Sequence, residues 1–456
     1  MSGFAQLRPT TAELREMAQL AAPIVLVNVG MHVMGVIDAI MLGRVSAADL
    51  AAGALGNFYF YVTAIIGIGV LMALDPVIAQ GVGAKDEVAI SRGVQRGVWL
   101  SLLVSVLVSL TFLAAGPVLG VLRQPAEVTP LAVGYVLWSI PGMIPFFAFN
   151  LMRQVLQAFT TIRPVMIAVI VGNLANVAFN WVLIYGNLGF APGGVVGSAQ
   201  GTSLARWVMA IVLVALSWRL IKPRLVPWHP ESNQLRPLGR MLALGLPVGL
   251  QFFAEANAFG LVTVMTGWMG TTTLAGHEIA LSLASLTFMV PMGVAGAAAV
   301  MVGHAVGAGD IAESRRDAVA ALAVGVGFMA LMAIGFWFFP DALANLYTRD
   351  PDTRLMAMTL IPIAAVFQVF DGTQVISTSI LRGAGDTRVA MILHMLSFWA
   401  VGIPLGALIA FRFDGGAPGL WWGLTAGLAA AAVMQVLRVR WKLGGEVERV
   451  RVDHVS

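Results

Sequence analysis

The chain has 456 residues, 59% of them hydrophobic and 11% charged, where a soluble domain carries about 25% charged residues. With a mean hydropathy of +0.86, this composition excludes an ordinary water-soluble domain and predicts an all-α polytopic membrane protein. The absence of cysteine excludes disulfides and thiolate metal sites, and the net charge of +4 does not mark a nucleic-acid surface, because the basic residues are spread over short loops.

A membrane-spanning helix needs about 20 predominantly apolar residues. Glu13, Arg15 and Glu16 precede the first apolar run and no small-residue cleavage site follows it, so the first helix is expected to stay as an anchor. The first predicted span, 18–43, holds Asp38. The second, 51–80, holds Asp75 near its end, just before Pro76. Spans three and four cover 97–121 and 131–152. The fifth, 164–185, carries Asn173, Asn176 and Asn180, of which the last two are four residues apart and share one helix face. The sixth, 195–218, contains Arg206, the one basic residue inside a span. The polar segment Lys222–Arg240 follows, with Pro223, Pro227, Pro230 and Pro237, and reads as a linker. Span seven, 241–267, holds Glu255; span eight, 275–305, opens near Glu278; span nine is 318–339. Span ten, 355–381, holds Asp371, and spans eleven and twelve cover 389–411 and 419–437. The expected organisation is an N-terminal lobe over 1–221, a linker over 222–240, a C-terminal lobe over 241–437 and a tail over 438–456.

Basic residues favour the cytoplasmic side of a membrane. With the N-terminus inside, 21 of the 27 Lys and Arg residues fall on inner segments and five (Arg44, Arg123, Arg349, Arg354, Arg412) on outer ones. Arg8 is among the inner set. The expectation is a multi-pass membrane protein with both termini in the cytoplasm.

The two halves superpose at an offset of 224 residues. Pro23 falls on Pro247, Ala51 on Ala275, Gly83-Ala84-x-Asp86 on Gly307-Ala308-x-Asp310, and Arg92 on Arg316. Six spans per half make this a parallel repeat, an arrangement that transporters use to hold substrate between halves and to alternate access by rocking. The five acids inside spans break the repeat: Asp38 falls on Val262, Glu255 on Met31, Asp371 on Phe147, Asp75 on Ala299 and Glu278 on Ala54. A charge at membrane depth is costly and marks function by default. Glu255 and Asp371 sit near mid-span and Asp38 in the outer half of its span, so these three are the functional candidates. Asp75 and Glu278, close to span ends, are secondary ones. A carboxyl group shielded from water can exchange a proton near neutral pH, and with other oxygen ligands it can hold Na⁺ instead. Asn173, Asn176 and Asn180 are candidate partners, with interhelical hydrogen bonding as the equally weighted alternative. The chain has no Gly-Lys dipeptide and therefore no Walker A loop, and His277-Glu278-Ile279-Ala280-Leu281 lacks the second histidine of a zinc-protease motif.

These residues resemble the multidrug and toxic compound extrusion (MATE) family, in its bacterial NorM-like branch. The likeness is carried by AAPIVLVNVGMHVMGVIDAIMLG, GIGVLMALDPVIAQ, NWVLIYGNLG, LPVGLQFFAEANAF, AGHEIALSLASLTFMVPMGV, VGHAVGAGD and VFQVFDGTQVISTSILRGAGDT. The resemblance implies two six-helix lobes of the MATE/MOP-type fold and antiport of cationic, amphiphilic drugs against Na⁺ or H⁺. It implies no cofactor, no enzymatic reaction and a monomer surrounded by membrane lipid. By position it assigns Asp38, Asn176, Asn180 and Thr202 to an N-lobe cation or proton site. Glu255 and Asp371 fall in a C-lobe site that could take Na⁺, with Gln368 as a further secondary candidate. Three residues depart from the family pattern. Phe367 stands where a tyrosine is frequent four residues before the aspartate, Glu278 where a glutamine is common, and Asp75 where an apolar residue is common. A lipid-linked precursor flippase would need further spans and a basic cavity, and a membrane prenyltransferase would need Asp-x-x-x-Asp motifs that no span contains.

Overall fold

The structure, a computed structural model, describes residues 9–121, 125 and 127–453; Arg8 and Arg123 of the charge count lie outside them. Among the described residues, twelve helices are long and apolar enough to cross a membrane. They are α1 (Thr11–Gly43), α2 (Ala47–Gly83), α3 (Glu87–Leu113), α4 (Thr129–Ala158), α5 (Arg163–Leu183) and α6 (Gly194–Leu225), followed by α7 (Leu235–Trp268), α8 (Thr271–Ala308), α9 (Ile311–Phe338), α10 (Pro351–Gly383), α11 (Thr387–Arg412) and α12 (Gly416–Gly444).

Proline sets most of the irregularities, because it lacks an N–H and its ring obstructs the carbonyl four residues back. The span predicted over 97–121 is corrected here: α3 starts at Glu87, stops at Leu113, and a separate helix runs Ala115–Val121. Pro117 stands four residues after Leu113, which explains the stop. Pro76 likewise follows Met72, where α2 turns before resuming at Leu74. Around Pro404, α11 widens into π-helical turns at Leu396–Gly402 and Leu408–Arg412. The early start of α3 has a different cause. Asp86 caps it by accepting the Ala89 N–H at 3.0 Å, and the first turns bury Ile90, Val94, Gln95 and Arg96. Between α6 and α7 only 226–234 is outside the long helices, and Gln95 holds it by donating to the Pro227 carbonyl (3.0 Å) and accepting from the His229 N–H (2.9 Å) and the Ser232 hydroxyl (2.8 Å).

The described residues form two units, one of 26–78, 86–249 and 451–453, the other of 9–25, 79–85 and 250–450. In the first, α6 is the central helix, packed on α2, α3, α4 and α5. In the second, α10 packs on α8, α9 and α12, and its middle is buried over Ile361, Ala364, Ala365, Phe367 and Gln368.

The 224-residue offset recurs in the contacts themselves. Asp310 caps α9 through the Glu313 N–H at 2.8 Å, as Asp86 caps α3. A Cβ on Gly83 would strike the His304 carbonyl, and a Cβ on Gly307 the Gln80 carbonyl; the two pairs are each other's image under the offset. In the first unit Gly69 lies against the backbone of Gly249. In the second Gly293 lies against Val25, again the equivalent pair. Without a hydrophobic drive between helices in lipid, small residues that admit close backbone approach supply the packing.

Candidate functional site

Two buried polar clusters form, one in each unit. In the first, Asp38 on α1 is 8% exposed and both of its carboxylate oxygens accept hydrogen bonds. Oδ1 accepts from Asn176 Nδ2 at 3.0 Å and Asn180 Nδ2 at 2.6 Å, and Oδ2 accepts the Thr202 hydroxyl at 2.9 Å. Asn176 also donates to Thr202 Oγ1 at 3.1 Å. The helical spacing of Asn176 and Asn180 aims both amides from α5 at one carboxylate, and Gly201 lets α6 close on Asn180, since a Cβ there would meet the Asn180 amide oxygen. Asn176 Oδ1 and Asn180 Oδ1 are buried with no hydrogen-bond donor. A carboxylate with two free amide oxygens beside it is a set of hard oxygen donors suited to a proton or a small cation. Asn173 does not join it: its amide donates to the Gly30 carbonyl (2.9 Å) and the Val169 carbonyl (2.8 Å), which ties α5 to α1. For this residue the packing alternative holds.

Asp38 lines a cavity of about 50 Å³ with Met31, Met34, Phe149, Arg206 and Met209. Arg206, on α6 one turn beyond Thr202, stacks over the rings of Phe60 and Phe146, 4.1 and 5.1 Å from their centroids.

In the second unit Glu255 lies on α7 and Asp371, buried, on α10. Glu255 Oε2 is 3.5 Å from His394 Nε2 on α11. His394 is fully buried, and its Nδ1 is 2.9 Å from Gln374 Nε2, so the Gln374 amide N–H donates to the ring. Gln374 in turn donates to Thr378 Oγ1 at 3.3 Å, which donates to Gln435 Oε1 at 2.6 Å. This polar chain links α7, α11, α10 and α12 through a hydrocarbon-like interior.

Other expected residues stand apart from both clusters. Phe367 packs edge-on against Phe259 and Trp421, at 6.0 and 5.3 Å between centroids. Gln368 accepts the Thr287 hydroxyl of α8 at 2.8 Å and does not reach the acids. Asp75 is buried, with a partner elsewhere, and Glu278 is exposed. Among the described residues no three His, Asp or Glu side chains gather as a metal site. Sequence reasoning passed over His394 and made no use of Arg206. Both are ionisable residues inside predicted spans, the signal that singled out the acids.

The sequence profile of the MatE family matches this chain twice, over 23–182 and 247–408, with starts 224 residues apart. The multidrug resistance protein MdtK of Yersinia pseudotuberculosis is 34% identical over 445 residues, spanning 94% of this chain and 95% of the relative. That of Edwardsiella ictaluri is 33% identical over 442 residues with the same coverage. Two solved structures share the fold. The eukaryotic MATE transporter AtDTX14 has a TM-score of 0.84 at 21% identity, over 94% of this chain and 95% of its own. An outward-facing multidrug resistance MATE transporter of the MOP superfamily has a TM-score of 0.85 at 20% identity, over 97% and 98%. Twelve apolar helices, a duplication visible in sequence and in contacts, and full-length relatives agree: the chain belongs to the MatE family.

Proposed function

We propose that the chain is a secondary active multidrug efflux transporter of the inner membrane, exchanging cationic amphiphilic drugs for Na⁺ or H⁺. The observation that carries this reading is the Asp38 cluster, a carboxylate at membrane depth on the wall of a methionine-lined cavity. Methionine adapts to varied apolar groups, and the carboxylate attracts either a coupling ion or the cationic group of a drug. Competition for one charge is the logic of an antiporter. The MdtK relatives, multidrug resistance proteins by name, support the same reading.

The two copies of the repeat, 1–221 and 241–437, act as the lobes of an alternating-access cycle, and both termini face the cytoplasm. Asp38, Asn176, Asn180 and Thr202 form the N-lobe coupling site, and Glu255 and Asp371 the C-lobe site. Na⁺ at the latter would have the two carboxylates as ligands but no hydroxyl from position 367, where phenylalanine stands. The transporter works as a monomer in lipid and needs no cofactor.

In cells stripped of their main efflux pumps, expression of the chain should lower ethidium accumulation, and Asp371→Asn should abolish the effect. Unchanged accumulation across a broad panel of cationic dyes would defeat the reading. Proteoliposomes with an imposed Na⁺ gradient or an imposed pH gradient then identify the coupling ion by which of the two drives uptake.

A further inference from the structure

Arg206 is a buried cation whose donors meet no acceptor. The residue as a whole is 7% exposed, and its guanidinium offers five N–H donors in a planar fork on the cavity wall. Among the described residues it makes no hydrogen bond and no ion pair; it is held by its face, over Phe60 and Phe146. Cation–π contact covers the face of the group and leaves its edge, where the donors lie, unanswered. Asp38 on the same cavity wall attracts the guanidinium across space but is joined to it by no hydrogen bond or ion pair, its oxygens accepting from Asn176, Asn180 and Thr202. A buried charge without hydrogen-bond partners is costly, so the edge of Arg206 is suited to an acceptor that arrives from outside the protein. The cavity it lines, about 50 Å³, has room for roughly four water-sized groups. That matches a carboxylate and its immediate neighbours rather than a whole drug.

We propose that Arg206 is a recognition group for the carboxylate of an amphiphilic substrate, so that the cavity takes the carboxylate on the guanidinium edge while the rest of the molecule stays outside it. The inference rests on the exporter reading for its biological setting, but its chemistry is a matter of binding. Two hydrogen-bonded edges in a planar fork make the contact bidentate, which lysine cannot reproduce.

The test is equilibrium binding of a fluorescent fluoroquinolone zwitterion and of its methyl ester to the purified full-length chain. The wild type should bind the acid about tenfold more tightly than the ester, since hydrogen bonds to a charged group carry that order of free energy. Arg206→Gln should collapse the acid-to-ester ratio toward one, and Arg206→Lys should give an intermediate ratio. Equal losses for acid and ester in Arg206→Gln would mean that the side chain only packs, and a ratio unchanged from wild type would mean that it does not touch the carboxylate; either overturns the proposal. A wild-type chain that binds the acid selectively yet moves neither ethidium nor the fluoroquinolone in energised vesicles would sink the exporter reading and leave the carboxylate site standing.

Discussion

Asp38 is held by three donors, and that fixes what its replacements should do. Asparagine keeps the shape and can still accept from Asn176 or Asn180, while alanine leaves all three donors facing a void. An orphaned buried donor costs about 1–3 kcal/mol. Asp38→Ala should therefore be less stable than Asp38→Asn by about 2 kcal/mol or more, as read by denaturation in mixed micelles, while both lose coupled drug exchange. Retained exchange in Asp38→Asn would remove Asp38 from the coupling site. Asp38, Asn176 and Asn180 were legible in the sequence for physical reasons: an acid at membrane depth is too costly to be incidental, and a four-residue spacing sets two amides on one face. Asn173 shares the helix and the chemistry, but its rotation carries it to the Gly30 carbonyl, and no spacing rule distinguishes those two fates without the neighbouring helix. His394 was overlooked because it is neutral in a charge count, although its ring stands 3.5 Å from Glu255. The pairing is a tertiary fact: the two residues are on different helices, 139 positions apart in sequence.

Helix ends were harder to read than helix cores, since a hydropathy ruler stops where charge begins. Capped and partly buried turns such as Glu87–Arg96 continue the helix beyond that point. The packing between helices is legible only as small-residue patterns. Gly402-x-x-x-Gly406 on α11 faces Gly423-x-x-x-Gly427 on α12: a Cβ on Gly423 would strike the Gly406 backbone, and one on Gly427 would sit 3.0 Å from the Gly402 Cα. Backbone cannot step aside as a flexible side chain can, and overpacking of this kind costs about 1–3 kcal/mol. By contrast, a Cβ on Gly335 of α9 would meet nothing within 4 Å, and alanine is the better helix former by about 1 kcal/mol. Gly423→Ala should lower the melting temperature of the purified protein, whereas Gly335→Ala should leave it unchanged or raise it. Equal melting temperatures for the two variants would mean that the α11–α12 contact yields more readily than its backbone geometry implies.

Across the whole molecule, orientation rests on a charge argument. The orientation proposed above puts 21 of 27 basic residues on the cytoplasmic side, where Lys and Arg are retained in short loops, and the twelve candidate spans among the described residues give the even number of crossings that both termini inside requires. The chain offers its own means of testing this, because it has no cysteine and a single introduced thiol is the only one present. Leu235, at the start of α7, is 83% exposed, and Leu346, between α9 and α10, is 78% exposed, so a thiol at either position is reachable by reagent and its labelling reports the side of the membrane rather than burial. With both termini inside, Leu346→Cys should react with a membrane-impermeant maleimide in intact spheroplasts, and Leu235→Cys only after permeabilisation. The opposite pattern would invert the molecule. It would leave the direction of exchange unchanged, because the ion gradient and not the orientation of the protein sets that direction. Labelling of both positions from the same side would be more damaging, since it would break the parallel repeat that relates α1–α6 to α7–α12.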